Sequence, residues 1–234
     1  MTTSATFKPW TSMLGSRLAQ ALQQSLTAHA PSNDGGTAAD VVCTRWRLPA
    51  RADLMSRAAA AALAEMLGAG RTAHHDELAA RCLQQYRQMA DDAAQDDLGR
   101  ALAAYLGACR QAFDHEPLTA QRWQAITRWL QAWVIDDTPW QDVPLAERQQ
   151  AFERFAVLAV ALGEWTVQAS RQGTAQQASA TWMARSSLRA QLGLDLPALC
   201  AVLRSLDART AGNPSVVRAE LGAAADRQQG PGPV

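Results

Sequence analysis

The sequence of 234 residues lacks an excess of charge of either sign, because 22 Lys and Arg are balanced by 22 Asp and Glu. A nucleic-acid-binding domain normally concentrates basic residues on one face, so this balance argues against nucleic acid as a partner. Aromatic residues are also scarce, at 6% of the chain. Because 48% of the residues are nevertheless hydrophobic, the chain can bury a core and is not expected to be disordered.

Long apolar runs and a secretory signal are missing as well. The longest apolar stretch, residues 155–163, is far shorter than the roughly 20 residues that a membrane-spanning helix needs. Residues 1–10 lack the basic segment and apolar run of a signal peptide. We therefore expect a cytoplasmic protein that binds no membrane. Its four cysteines form no Cys-x-x-Cys pair, which favours reduced and buried thiols: Cys43, Cys82, Cys109 and Cys200.

Signatures of nucleophilic and phosphate-binding chemistry are absent. The sequence contains no G-x-S-x-G elbow and no G-x-x-x-x-G-K-[ST] loop, and no S-x-x-K motif with its companions. The glycines at 68 and 70 follow a helical pattern and not a strand, which is typical of a helix end. We predict a protein without enzymatic activity and without a cofactor.

Helical periodicity is present from end to end, which predicts an all-α fold. Short loops and the absence of a fixed repeat favour an antiparallel bundle of about six helices over residues 41–207. Residues 1–40 are predicted to be an amphipathic helix and a flexible linker, residues 208–234 a flexible tail, and residues 41–48 an extended arm on the bundle. The predicted helices cover residues 11–26, 52–67, 74–90, from Asp96 or Asp97 to 113, 119–134, 145–170 and 174–192, with a short last helix from Pro197.

Four leucines form a narrow apolar stripe on the N-terminal helix. Leu14, Leu18, Leu22 and Leu26 recur every fourth residue on a helix that is otherwise rich in glutamine. Such a stripe is typical of a helix that docks in an apolar groove. We predict that these leucines bind another protein or a second copy of the chain.

Tryptophan is the dominant aromatic residue, and half of the eight tryptophans fall in one segment. Trp129 and Trp133 lie one turn apart and are expected to share a face with Trp123 in the core. Trp140 lies in a loop between two prolines. Because tryptophan is enriched at binding hot spots, we predict that Trp140 is an exposed anchor for the partner.

An acidic turn, Asp91, Asp92, Asp96 and Asp97, supports an alternative function. Together with His74 or His75 these carboxylates could hold a cation, which would make the protein a metal-dependent hydrolase. The spacing matches neither H-E-x-x-H nor a calcium loop. Asp96 or Asp97 also suits the start of a helix. We therefore keep these residues as weak metal candidates only.

Residues 44–194 resemble an uncharacterised, mainly proteobacterial helical family, the domain of unknown function numbered six-six-eight-three. The segments that carry the resemblance are LAARCLQQYRQM, DDLGRALAAYLGACRQAF, QRWQAITRWLQAW, ERQQAFERFAVLAVALGEW and TWMARSSLRAQLGLDL, in that order. The family has no established activity, so the resemblance implies a helical fold but no catalytic residue. The absent catalytic signatures, the leucine stripe, the tryptophan-rich segment and the balanced charge favour a non-enzymatic bacterial protein-interaction module, such as an adaptor, a chaperone or an immunity-type partner of a toxin.

Overall fold

The computed structural model describes residues 10–27, 48, 57–89, 96–130 and 143–211. Within these residues the fold is all-α, as predicted, and contains eight helices and no strand. They are α1 Trp10–Thr27, α2 Arg57–Met66, α3 Ala73–Met89, α4 Leu98–Asp114, α5 Ala120–Leu130, α6 Leu145–Gln172, α7 Thr174–Leu192 and α8 Leu196–Ala211.

Local sequence signals explain where several helices begin and end. Asp97 precedes α4 with an extended backbone, and its carboxylate accepts a hydrogen bond from the backbone N–H of Arg100 at 3.0 Å. This cap satisfies one of the amide groups that a helix start leaves without an intrahelical partner. Between α6 and α7 a single residue, Gly173, adopts a φ of 102°. That conformation favours glycine, and it lets two long helices follow each other directly.

The longest helix, α6, lies at the centre of the bundle and packs against α2, α3, α4 and α7. Its run of apolar residues from Phe155 to Val160 is buried throughout, as expected for a helix surrounded by others. Two aromatic contacts reinforce this core. The ring centroids of Phe155 and Tyr105 of α4 are 5.5 Å apart, and those of Phe152 and Tyr86 of α3 are 5.8 Å apart.

The helices outside this centre are α1, α5 and α8. α5 packs against α4 and α8, and α1 packs against α7 and α8. The last helix, predicted as short, runs to Ala211 and so continues past the predicted boundary at residue 207. None of the described helices is long and apolar enough to cross a membrane.

Several sequence predictions fall on residues that the structure does not describe: the linker up to residue 40, most of the arm at 41–48, and the tail from residue 212. Of the arm, Leu48 is described. Its side chain is buried, and its backbone N–H donates to the carbonyl oxygen of Asp96 at 2.9 Å. This contact attaches Leu48 to the turn before α4.

Candidate functional site

The clearest candidate site is the groove in which α1 lies, formed by α7 and α8 (the α7–α8 groove). Leu14, Leu18 and Leu22 are buried and belong to the same hydrophobic core as Leu188 of α7 and Leu199 of α8. Glutamines at 20, 23 and 24 are exposed on the opposite side of α1. The helix is therefore amphipathic, and its apolar side faces the bundle.

In this structure the leucine stripe packs within its own chain, and its binding to another molecule stays a prediction. Leu14 and Leu18 are fully buried, and the groove that receives them with Leu22 belongs to their own chain. The side chain of Leu26 lies outside the described residues. The spacing of the leucines predicts a groove, but it contains no information on whether the groove lies in the same chain.

A glycine permits α1 to approach α7 closely. Gly15 lies directly against the C-terminal end of α7, where a Cβ atom at position 15 would overlap the carbonyl oxygen of Leu192 and lie 3.0 Å from its carbonyl carbon. Both atoms are backbone, so no side-chain rotation could make room. The hydrogen on a glycine Cα, by contrast, can pack against a carbonyl oxygen.

A second junction on α8 is charged (the ionic junction: Arg110, Asp114, Arg122, Arg204 and Asp207). Arg110 of α4 is buried, and its guanidinium donates to Asp114 at 3.1 Å and to Asp207 of α8 at 2.5 Å. Arg122 of α5 lies 3.7 Å from Asp207. Arg204 of α8 pairs with Asp114 and lies 5.3 Å from the centre of the Phe113 ring. These pairs connect α4, α5 and α8.

Burial lowers the pKa of Arg110, but the hydrogen bonds to Asp207 and Asp114 outweigh it, so that the net shift is upward. The arginine therefore stays charged inside the protein. Sequence reasoning missed this residue. A signal was present, because Arg110 continues the fourfold spacing of Leu102 and Leu106, and a charge in the apolar phase of a helix indicates a buried ion pair.

Of the two histidines predicted as metal candidates, His75 has a structural role. Nδ1 of His75 accepts a hydrogen bond from the backbone N–H of Thr72 at 3.1 Å and lies 2.7 Å from the Thr72 hydroxyl. Since Thr72 directly precedes α3 and His75 is its third residue, the pair resembles a capping box with histidine in place of glutamate. His74 is exposed on the same first turn.

The acidic turn does not join these histidines. Asp96 pairs with Arg87 at 3.2 Å, near the C-terminal end of α3, and Asp97 caps α4. His75 and Arg87 are twelve residues apart on one helix, a separation of about 18 Å along its axis. His75 and the described carboxylates Asp96 and Asp97 therefore do not form one metal site, and the hydrolase alternative stays a prediction. Asp91 and Asp92 lie outside the described residues.

Within the described part of the chain, no group of three His, Cys, Asp or Glu side chains is placed to hold a metal ion. Cys82, Cys109 and Cys200 are free and buried, as predicted, and Cys43 lies outside this part. Burial, followed by the charge of Asp114, raises the pKa of Cys200 to about 12. Burial also raises the pKa of Cys82 to about 11. These thiols are poor nucleophiles, because the thiolate is the reactive form.

The tryptophans divide between core and surface. Trp129 is buried and Trp123 partly buried, as expected, whereas Trp133 and Trp140 lie outside the described residues. Among the side chains that the structure describes, the exposed tryptophans are Trp182 of α7, 60% exposed, and Trp165 of α6, 42% exposed. Sequence analysis missed both. The helical phase could have indicated Trp182, because it falls outside the buried positions 180, 183, 184, 187 and 188.

Comparison with known proteins identifies one family. The model of a family of unknown function, DUF6683, matches residues 49–199. The match includes all of α7 and the beginning of α8, whereas α1 lies outside it. A search of curated proteins and a search of solved structures found no significant match.

Proposed function

The chain belongs to the DUF6683 family of unknown function, and we propose that it is a non-enzymatic protein-interaction module that captures an amphipathic helix of a partner protein. Its binding site is the α7–α8 groove. The observation that carries this proposal is that α1, an element outside the family match, fills a groove whose α7 wall lies inside it. The groove thus already holds a helix of the kind that a partner would supply.

The chemistry of the groove defines this partner. Three buried leucines of α1 supply the apolar contact, and the exposed side of the helix is polar and carries no acidic residue. Recognition therefore rests on apolar area and shape and not on charge, in keeping with the net charge of +0. Helix capture is compatible with an adaptor, a chaperone or an immunity-type partner. We place the protein in the cytoplasm, where its free buried thiols stay reduced.

A labelled peptide with the sequence of residues 10–27 tests the proposal. Leu18→Asp with Leu22→Asp in the full chain buries two carboxylates in the groove, which should displace α1 and open the site. We expect the peptide to bind this variant at least tenfold more tightly than the wild-type chain, as measured by fluorescence anisotropy. Gln20→Asp, on the exposed side of α1, is the matched control and should bind like the wild type.

Circular dichroism of the double variant checks that the bundle remains folded. A folded variant that binds no peptide would refute the proposal. A dimer in size-exclusion chromatography of the wild type that the double change abolishes would instead assign the groove to α1 of a second copy.

A further inference from the structure

Resting on the function proposed above, we infer that the α7–α8 groove selects its occupant by one small residue. A helix docks there only if it has glycine at the position that Gly15 occupies in α1. The partner is therefore an amphipathic helix in which glycine follows the first leucine of the stripe, as in the pattern Leu14-Gly15-x-x-Leu18-x-x-x-Leu22.

The reason lies at the end of α7. Leu192 is the last residue of that helix, and the last carbonyl groups of a helix have no intrahelical partner. Gly193 caps α7: its φ of 68° is left-handed, and its N–H donates to the carbonyl oxygen of Arg189 at 2.9 Å. This closed turn holds the carbonyl of Leu192 in place. α1 crosses that carbonyl at Gly15, where any Cβ atom would overlap it.

Other helical glycines of the chain show that this crossing is specific. A Cβ atom at Gly107 would meet the side chain of Leu118 at 2.6 Å, and that side chain can rotate away. At Gly163 nothing lies within 4 Å. Of these three glycines, only Gly15 lies where a Cβ atom would overlap a backbone atom. Glycine is also unfavourable inside a helix, so its presence in the apolar seam of α1 is explained by the close crossing and not by helix formation.

The same substitution, Gly15→Ala, should have opposite effects in the peptide and in the chain. In the 10–27 peptide the added methyl group clashes with Leu192, and we expect binding to the opened Leu18→Asp, Leu22→Asp chain to weaken at least tenfold. In the full chain the change loosens α1, so the unmodified peptide should bind the Gly15→Ala chain more tightly than the wild-type chain. Fluorescence anisotropy measures both affinities.

Helix propensity alone predicts the reverse for the peptide, since alanine in place of glycine should tighten binding roughly fivefold. The sign of the change therefore separates the two explanations. A Gln20→Ala peptide, altered on the exposed side, is the matched control and should bind like the unmodified one.

The outcomes distinguish this inference from the function on which it rests. If the unmodified peptide binds none of the chains, the proposed function fails. If it binds the opened chain and the Gly15→Ala peptide binds as well or better, the groove captures helices, but the requirement for glycine is wrong.

Discussion

Two junctions attach neighbouring helices to α8, and they do so by opposite physical means. The α1 junction is an apolar seam in which Leu14, Leu18 and Leu22 fill a groove. The ionic junction joins α8 to α4 and α5 through Arg110, whose side chain is only 2% exposed, and its carboxylate partners. An apolar seam accepts any well-fitting apolar helix, whereas a buried ion pair tolerates no unpaired member. Exchange of helices is therefore suited to the first junction, and permanent attachment to the second.

The ionic junction should show the largest effect when it is broken. Arg110→Met removes the shared cation and leaves Asp114 and Asp207 partly uncompensated in a buried environment. Loss of one member of a buried pair costs about 3–5 kcal/mol, and we expect a decrease near this range in the free energy of unfolding, measured by urea denaturation.

Arg185→Met is the control for this change, because Arg185 lies 3.8 Å from Asp195 and both side chains are more than half exposed. Exposed pairs of this kind contribute little, so the control should change stability by no more than about 0.5 kcal/mol. An Arg110 variant as stable as the control would mean that apolar packing alone holds α8 to α4.

The apolar seam should respond less strongly and more locally. Leu18→Ala removes a fully buried side chain from the groove, which costs about 2–5 kcal/mol. We expect the lower end of this range, because α1 lies outside the centre of the bundle and can shift to close the cavity. If α1 can separate from the bundle, this loss appears as faster amide hydrogen exchange in α1, while α6 keeps its protection. Equal acceleration of exchange in both helices would show that α1 unfolds only together with the core, and it would contradict the view that the α1 junction can open by itself.

The smallest effect concerns pH and comes from Cys200 of α8, on which the charges of Asp114, Arg204 and Arg110 in the ionic junction act. Cys200 has a pKa raised to about 12 by burial, compared with its ordinary 9.0. Above pH 9 the unfolded chain releases a proton that the folded chain retains, so the free energy of unfolding falls as pH rises. From pH 8 to pH 10 this group should account for about 1 kcal/mol. The pH curve of Cys200→Ala should lack this loss, and an identical pH slope in both chains would exclude it.

Much of the fold could be predicted from the period of the apolar residues. The prediction for residues 174–192 is confirmed to the residue by α7, and the predicted start of the longest helix at Leu145 is confirmed by α6. These boundaries could be predicted because glycine and proline mark them: Gly173 and Gly193 flank α7, and Pro144 precedes α6.

The site could be predicted only in part, because periodicity describes one helix at a time. It indicates that α1 has an apolar side, but which groove receives that side depends on contacts between residues far apart in the sequence. For the same reason the sequence does not indicate the role of Gly15, because its neighbour Leu192 is far along the chain. The pairing of His75 with Thr72 is local, so a capping role for His75 could have been predicted from the sequence.

The contact between Leu48 and Asp96 limits the length of chain that connects α1 to the bundle. Twenty residues, 28–47, separate the end of α1 from this anchor, and they can span at most about 70 Å. A helix on so short a tether competes for its groove at an effective concentration on the order of millimolar. For the proposed capture of a partner helix, α1 would therefore act as a built-in competitor, and a helix of weak affinity would fail to displace it.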